Sequence, residues 1–154
     1  MADFRFRAQA ALDLRRKQED EAATALAQAE SACRLAEARR DRAEADRRTA
    51  QEQLATAQRF GSDISTLLWH RNWIARLAAE VDTAKVDVEA RAAEVRVAEE
   101  AWREARKKRL ALERLRERAV RRHQHELQRQ ELKVIDELAR LRFIFADPES
   151  NDGV

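Results

Sequence analysis

The residues that first suggest chemistry are three histidines, one cysteine and 29 acidic side chains in a chain of 154 residues. Metal binding or acid–base catalysis would need some of them to converge. His123 and His125 are two apart, so on a helix they point in different directions and cannot chelate one ion. His70 is remote from both in sequence. Surface or seam histidines are the reading that fits. Cys33 has no acid–base partner in its own helical layer and reads as a small core residue. The carboxylates fall on solvated helix faces. Two glycines cannot build a phosphate-cradling loop. No catalytic constellation emerges, so the expectation is a non-enzyme with no cofactor and no metal.

Charge of another kind is concentrated in one stretch. Between Trp102 and His123 lie Arg103, Arg106, Lys107, Lys108, Arg109, Arg114, Arg116, Arg118, Arg121 and Arg122, against Glu104, Glu113 and Glu117. That is ten positive against three negative, in a chain whose net charge is only +2. Such a run can be a plain solvated face, a docking surface for an acidic protein, or a nonspecific contact for nucleic acid or anionic lipid. A basic-zipper reading fails, because no parallel leucine zipper follows directly. Specific nucleic-acid recognition is not expected.

A second cluster is apolar: Leu67, Leu68, Trp69, Trp73, Ile74 and Leu77. Two tryptophans four apart share one helical face. Leu67, Ile74 and Leu77 also fall on a core ladder, whereas Trp69 and Trp73 do not. The tryptophans either close the end of a hairpin or anchor a partner.

The elements that position these residues follow from composition. Charged residues make up 39% of the chain and aromatics 5%, with one proline. That is the composition of long solvated helices rather than of a globular core. The one glycine before the tail is in Arg59-Phe60-Gly61-Ser62-Asp63. Glycine can take the left-handed conformation that ends a helix, and Ser62 or Asp63 can cap the next one. The fold class expected is all-α, two long helices forming an antiparallel coiled-coil hairpin with helix 2 the longer. Residues 1–147 are read as a single domain, with helix 1 over about 3–58, a turn at 59–62 and helix 2 over about 63–145. Asp147-Pro148 ends helix 2, and 148–154 is read as a disordered tail.

Both helices carry a seven-residue period, which implies a left-handed supercoil. Helix 1 repeats alanine at Ala8, Ala22, Ala29, Ala36, Ala43, Ala50 and Ala57, with Arg15 interrupting. Its companion positions are Leu12, Glu19, Leu26, Cys33, Arg40, Arg47 and Leu54. Helix 2 repeats Leu67, Ile74, Val81, Val88, Val95 and Trp102, beside His70, Leu77, Ala84, Arg91, Ala98, Ala105 and Leu112. Folding at Gly61 sets Ala50 against Ile74, Ala43 against Val81 and Ala36 against Val88, small against large. Phe4 then falls opposite about Val120. Beyond about Arg121 helix 2 has no partner within the chain, yet it keeps an apolar stripe of Leu127, Val134, Leu138, Leu141 and Phe145. An unpaired amphipathic helix needs another surface.

No signal-peptide pattern opens the chain, and no apolar run approaches the ~20 residues of a membrane span. A lone cysteine fits a reducing compartment. The expectation is a protein in the cytoplasm without a transmembrane segment.

The opening Phe4-Arg5-Phe6-Arg7, the run from Leu12 to Glu21, Asn72-Trp73-Ile74, Trp102-Arg103-Glu104, Lys107-Lys108-Arg109-Leu110 and the stretch Glu131 to Ala139 together resemble the flagellar export proteins called FliJ. The resemblance covers nearly the whole chain. It implies a small cytoplasmic part of the flagellar type III export apparatus, similar to the central stalk subunit of rotary ATP synthases. The end bearing both termini would enter the export ATPase hexamer and promote its assembly. The rod would also contact the export-gate membrane protein FlhA and export chaperones, lying at the inner face of the cell membrane through them. It further implies a gate contact early in helix 2, at Trp69, Trp73 and Leu77, with Glu80 charged where the family has a small residue. The ring contact would use Arg103, Arg106, Lys107, Lys108, Arg109, Arg114, Arg118 and Arg121 with Leu127, Val134, Leu138 and Leu141. Rival readings are the equivalent stalk of a virulence injectisome and a generic structural coiled coil that dimerises through helix 2.

Overall fold

The computed structural model of the chain describes residues 3–146. Two helices account for most of them: α1 (Gln9–Arg59, 51 residues) and the longer α2 (Ile64–Ala146, 83 residues). The expected tail at 148–154 lies outside the described residues. The chain divides into two compact units, one spanning Arg16–Lys107 and the other combining the residues up to Arg15 with those from Lys108 onward.

In the Arg16–Lys107 unit the two helices form an antiparallel hairpin. Gly61 turns the chain with φ +73, a left-handed conformation that side-chain-bearing residues rarely adopt. The Ser62 amide donates to the Ala57 carbonyl at 3.2 Å, which satisfies one of the carbonyls left over at the end of α1. Of the two capping candidates it is Asp63 that starts α2: its Oδ1 accepts the Thr66 amide at 3.1 Å, and the Ser65 hydroxyl donates to Oδ2 at 3.0 Å. Hydrogen bonds from Thr66, side chain first and then amide, with the Ser65 hydroxyl, hold the Asp63 carboxyl below its ordinary value.

The heptad ladders are where the helices shade each other. Every ladder position named above is buried or half-buried, and none is exposed. Ala36 and Ala50 are 2% exposed, facing an α2 whose Leu77 and Val81 are 4% and 1% exposed. Arg39 and Ala43 line one groove with Arg76, Ala79, Glu80, Thr83, Ala84 and Asp87, and Arg40 and Glu44 line another with Lys85, Val88 and Glu89. Those neighbourhoods agree with the small-against-large register. Arg91 and Arg40 keep their heads partly wet along their own helix. Arg91 pairs with Asp87 at 3.6 Å and Glu94 at 3.2 Å, and Arg40 with Asp41 at 3.0 Å. Two buried nitrogens on the ladders, Arg47 Nε and His70 Nδ1, make no hydrogen bond to a protein group.

The other unit holds Leu12, which is 0% exposed. Its first residues correct the expected start of helix 1. Residues 3–6 are not helical and a turn at Arg7 and Ala8 precedes Gln9, with the Gln9 amide donating to the Phe6 carbonyl at 3.1 Å. The cause is visible in the shading: Phe4, Phe6 and Ala8 are half-buried while Asp3, Arg5 and Arg7 are exposed. Phe-Arg-Phe-Arg alternates with a period of two. An extended chain puts both rings on one side, whereas a helix would turn them away from each other.

Candidate partner-binding surfaces

Among the described residues no group of three or more His, Cys, Asp or Glu side chains could hold a metal. Cys33 is half-buried, its thiol 4.0 Å from Glu37 Oε1 one turn on. His70 lies edge-on to Trp69 and His123 lies against Phe4, so two of the three histidines are engaged with aromatic rings. The exposed apolar and basic surfaces are the candidate sites.

At the start of α2 the Trp69 and Trp73 rings stack, with centroids 6.2 Å apart and planes 11° from parallel. The Arg76 guanidinium lies 5.8 Å from the Trp73 ring centroid. Trp69 is 59% and Trp73 37% exposed. This exposed, preformed aromatic pair is a suitable partner anchor. Leu77, placed in the same patch by sequence, is buried. That corrects its role: it holds the hairpin seam beneath the tryptophans and presents no side chain outward. Glu80 is instead exposed and pairs with Arg76 at 3.8 Å.

The basic residues divide between the two units. Arg103, Arg106 and Lys107 belong to the hairpin unit and are exposed. Arg103 reaches Glu99 at 4.0 Å, Lys107 reaches Glu104 at 3.2 Å, and Arg106 lies 5.3 Å from the Trp102 ring centroid. Lys108, Arg109, Arg114, Arg118 and Arg121 belong to the other unit. Arg109 is the exception among them, half-buried and bonded to Glu113 at 2.7 Å. The rest are exposed, and exposed ion pairs of this kind contribute little to stability, so these charges are available to a partner at low cost.

Past His123, every described residue of α2 is exposed. Leu127, Val134, Leu138 and Leu141 are among them, as sequence anticipated, and Phe145 is 76% exposed. One face forms a shallow apolar groove lined by Ile135, Leu138, Ala139, Leu141, Arg142 and Phe145. Leu132, Phe143 and Ile144 are also exposed, so the apolar surface is broader than the single stripe read from the heptad.

Comparison with known proteins bears on what these surfaces serve. The family model described as flagellar FliJ protein matches residues 5–146. The chain is a member of the FliJ family. Among solved structures, a YscO homolog, CT670, from Chlamydia trachomatis shares the fold with a TM-score of 0.56 at 19% identity, the match covering 96% of this chain and 100% of that one. Among curated protein sequences none matches significantly. FliJ membership supports a stalk-like or chaperone-like protein of type III secretion, from a family of structural rather than catalytic components. No helix among the described residues is long and apolar enough to cross a membrane.

Two surfaces escaped the sequence reading. Phe60 and Ile64 are 83% and 78% exposed at the hairpin turn. Their position off the core ladder was the available signal. The pairing of Phe4 with His123 also went unread, although the alternation of Phe4 and Phe6 hinted at an extended segment.

Proposed function

We propose that this FliJ-family chain is the central stalk of a flagellar export ATPase. The residues from Lys108 onward enter the ATPase hexamer and promote its assembly and turnover. The tryptophan-bearing start of α2 meets the export gate, FlhA, and export chaperones dock along the helices. The chain then works in the cytoplasm, held at the inner face of the membrane through these partners. The observation that carries the reading is the stretch after His123. It is a long helix with exposed apolar side chains, adjoining exposed arginines. A single helix of this kind gains stability only when another surface covers it, and the interior of a ring with acidic loops would cover both its apolar and its basic parts.

The test adds the purified chain to its cognate export ATPase and follows ATP turnover. Stimulation is expected, and an unchanged rate refutes the stalk role. The fold likeness to a YscO homolog favours one second reading, the same stalk in an injectisome. Deleting the gene separates the two: loss of swimming supports the flagellar role, and loss of effector secretion with normal swimming supports the other.

A further inference from the structure

The end of the Arg16–Lys107 hairpin carries apolar surface that its two helices do not use. Phe60 and Ile64 are 83% and 78% exposed, and Leu68, Trp69 and Trp73 are exposed beside them. Exposed apolar side chains gathered near one end of a small helical unit mark a contact with something else. The shape of this end narrows the choice. The chain swings around Gly61 at a point where an added side chain would meet nothing within 4 Å. The patch is therefore an open turn followed by the exposed side chains of the first turns of α2.

Its charges lean basic. From residue 59 to residue 80 the charged side chains are Arg59, Asp63, Arg71, Arg76 and Glu80. Glu80 pairs with Arg76 at 3.8 Å and Asp63 is committed to capping α2 through Thr66 and Ser65, while Arg59 and Arg71 are exposed.

We propose that this tip docks on an anionic lipid surface. Phe60, Ile64 and Leu68 enter the boundary between headgroups and acyl chains. When the gate does not cover them, the stacked indoles of Trp69 and Trp73 sit at headgroup level, where an amphipathic ring is favoured. Arg59 and Arg71 meet lipid phosphates, which guanidinium groups bind well. A projecting apolar turn rimmed with arginine suits a fluid interface that closes around it, whereas a second copy of the same projection would cover little of it. The apolar end of α2 differs on the decisive point. Asp147, Glu149 and Asp152 follow it in sequence, and an anionic surface repels them.

The experiment uses the full chain alone, so its outcome is independent of ATPase stimulation. Vesicles of phosphatidylcholine are compared with vesicles containing about one third phosphatidylglycerol, an anionic content at which basic segments bind measurably. Binding is followed by co-sedimentation and by tryptophan emission. Trp102 is half-buried, so a blue shift reports chiefly on the tip. The expected result is salt-sensitive binding to the anionic vesicles and little to the neutral ones. Phe60→Ser with Ile64→Ser, at positions where the fold buries little, should weaken binding by about tenfold or more with helicity unchanged. Arg59→Gln with Arg71→Gln should weaken binding to the anionic vesicles, replacing Arg114, Arg118 and Arg121 by glutamine should weaken it less, and Phe143→Ser with Phe145→Ser should leave binding intact. Absence of anionic-vesicle binding, or binding that the Phe60 and Ile64 changes do not weaken, overturns the proposal. So does a tip variant that binds vesicles normally but no longer binds the purified cytosolic domain of the gate, because the patch is then a protein contact.

Discussion

The Phe4 ring lies 5.5 Å from the His123 imidazole, centroid to centroid, with the planes tilted by 48°. This contact joins the non-helical opening of the chain to the last half-buried position on α2, since every described residue beyond His123 is exposed. The aromatic pair therefore marks where intramolecular cover ends. Tilted ring pairs contribute about 0.5–1.5 kcal/mol beyond the area they bury. Phe4→Ala should lower stability by about 1–2 kcal/mol in denaturant melts. Amide exchange should speed up over residues 113–123 and stay as it was near the hairpin turn. Unchanged exchange at 113–123 would show that the opening segment does not secure this part of α2.

The seam gives a sharper contrast. Leu12 is fully buried, whereas Leu35 on the same helix is 60% exposed. Leu12→Ala should cost about 2–5 kcal/mol, the usual range for emptying a buried leucine site. Leu35→Ala should stay within about 0.5 kcal/mol. Ala50→Leu tests the small-against-large packing from the other side. Ala50 is 2% exposed, so the larger side chain should overpack the seam at a cost of about 1–3 kcal/mol. Thermal melts of the three variants check the order, and a costly Leu35→Ala would contradict the seam assignment.

Trp73 and Leu77 separate folding from partner contact. They are one helical turn apart, yet Trp73 is 37% and Leu77 4% exposed. Leu77→Ala should destabilise by about 2–5 kcal/mol and impair every partner alike through loss of the hairpin. Trp69→Ala with Trp73→Ala should leave the melting temperature nearly unchanged and weaken binding to the gate's cytosolic domain. Pull-down or calorimetry with that domain reads the difference. If the tryptophan variant loses ATPase stimulation to the same degree as gate binding, the stack is not a gate-specific surface.

These distinctions show what was legible in the chain before its structure. The seven-residue ladder was legible because a helix converts spacing directly into facing, and the alanine and branched rungs from Ala22 to Val95 are shaded as that spacing requires. Gly61 was legible because helix breakers are so scarce here. The role of Leu77 was harder to read, because the family resemblance pointed outward and the ladder inward. The ladder prevailed, since burial follows the helical face. The start of α1 was missed because a helical reading was carried back through Phe4 and Phe6, whose alternation suits an extended chain. The open patch at Phe60 and Ile64 depends on the path of the turn, which periodicity does not specify.

Asp63 links the turn to pH. Its carboxyl is held below the ordinary value by hydrogen bonds from Thr66 and Ser65. A carboxylate with a depressed folded value stabilises the protein fully above the unfolded value of about 3.9, and that stabilisation disappears as pH falls through the folded value. Melting temperature should therefore drop as pH is lowered from about 5 into the acid range, in part through this cap. Asp63→Ala should be less stable than the parent near neutral pH, and the gap should narrow in acid. A gap that stays constant down the pH series would show that the cap carboxylate is not the source.

The exposed end of α2 makes the last prediction the most direct test of the stalk reading. Because no described residue past His123 is covered by the rest of the chain, deleting residues 131–154 removes no seam contact among the described residues. The hairpin's cooperative unfolding should keep its midpoint, while total helicity falls by the share of the missing residues. A lone helical segment of this size is marginal in water, so it gains most when a partner covers Val134, Leu138 and Leu141. Stimulation of the cognate ATPase should accordingly vanish in the truncated chain. The narrower change Leu138→Ser with Leu141→Ser should reduce it with no change in the hairpin melt. Replacing Arg114, Arg118 and Arg121 by glutamine should weaken association with the ATPase mainly at low salt, because exposed charges act over roughly a Debye length of about 10 Å at 0.1 M. Full stimulation by the truncated chain would remove the helix end from the ring, and with it the observation on which the stalk assignment stands.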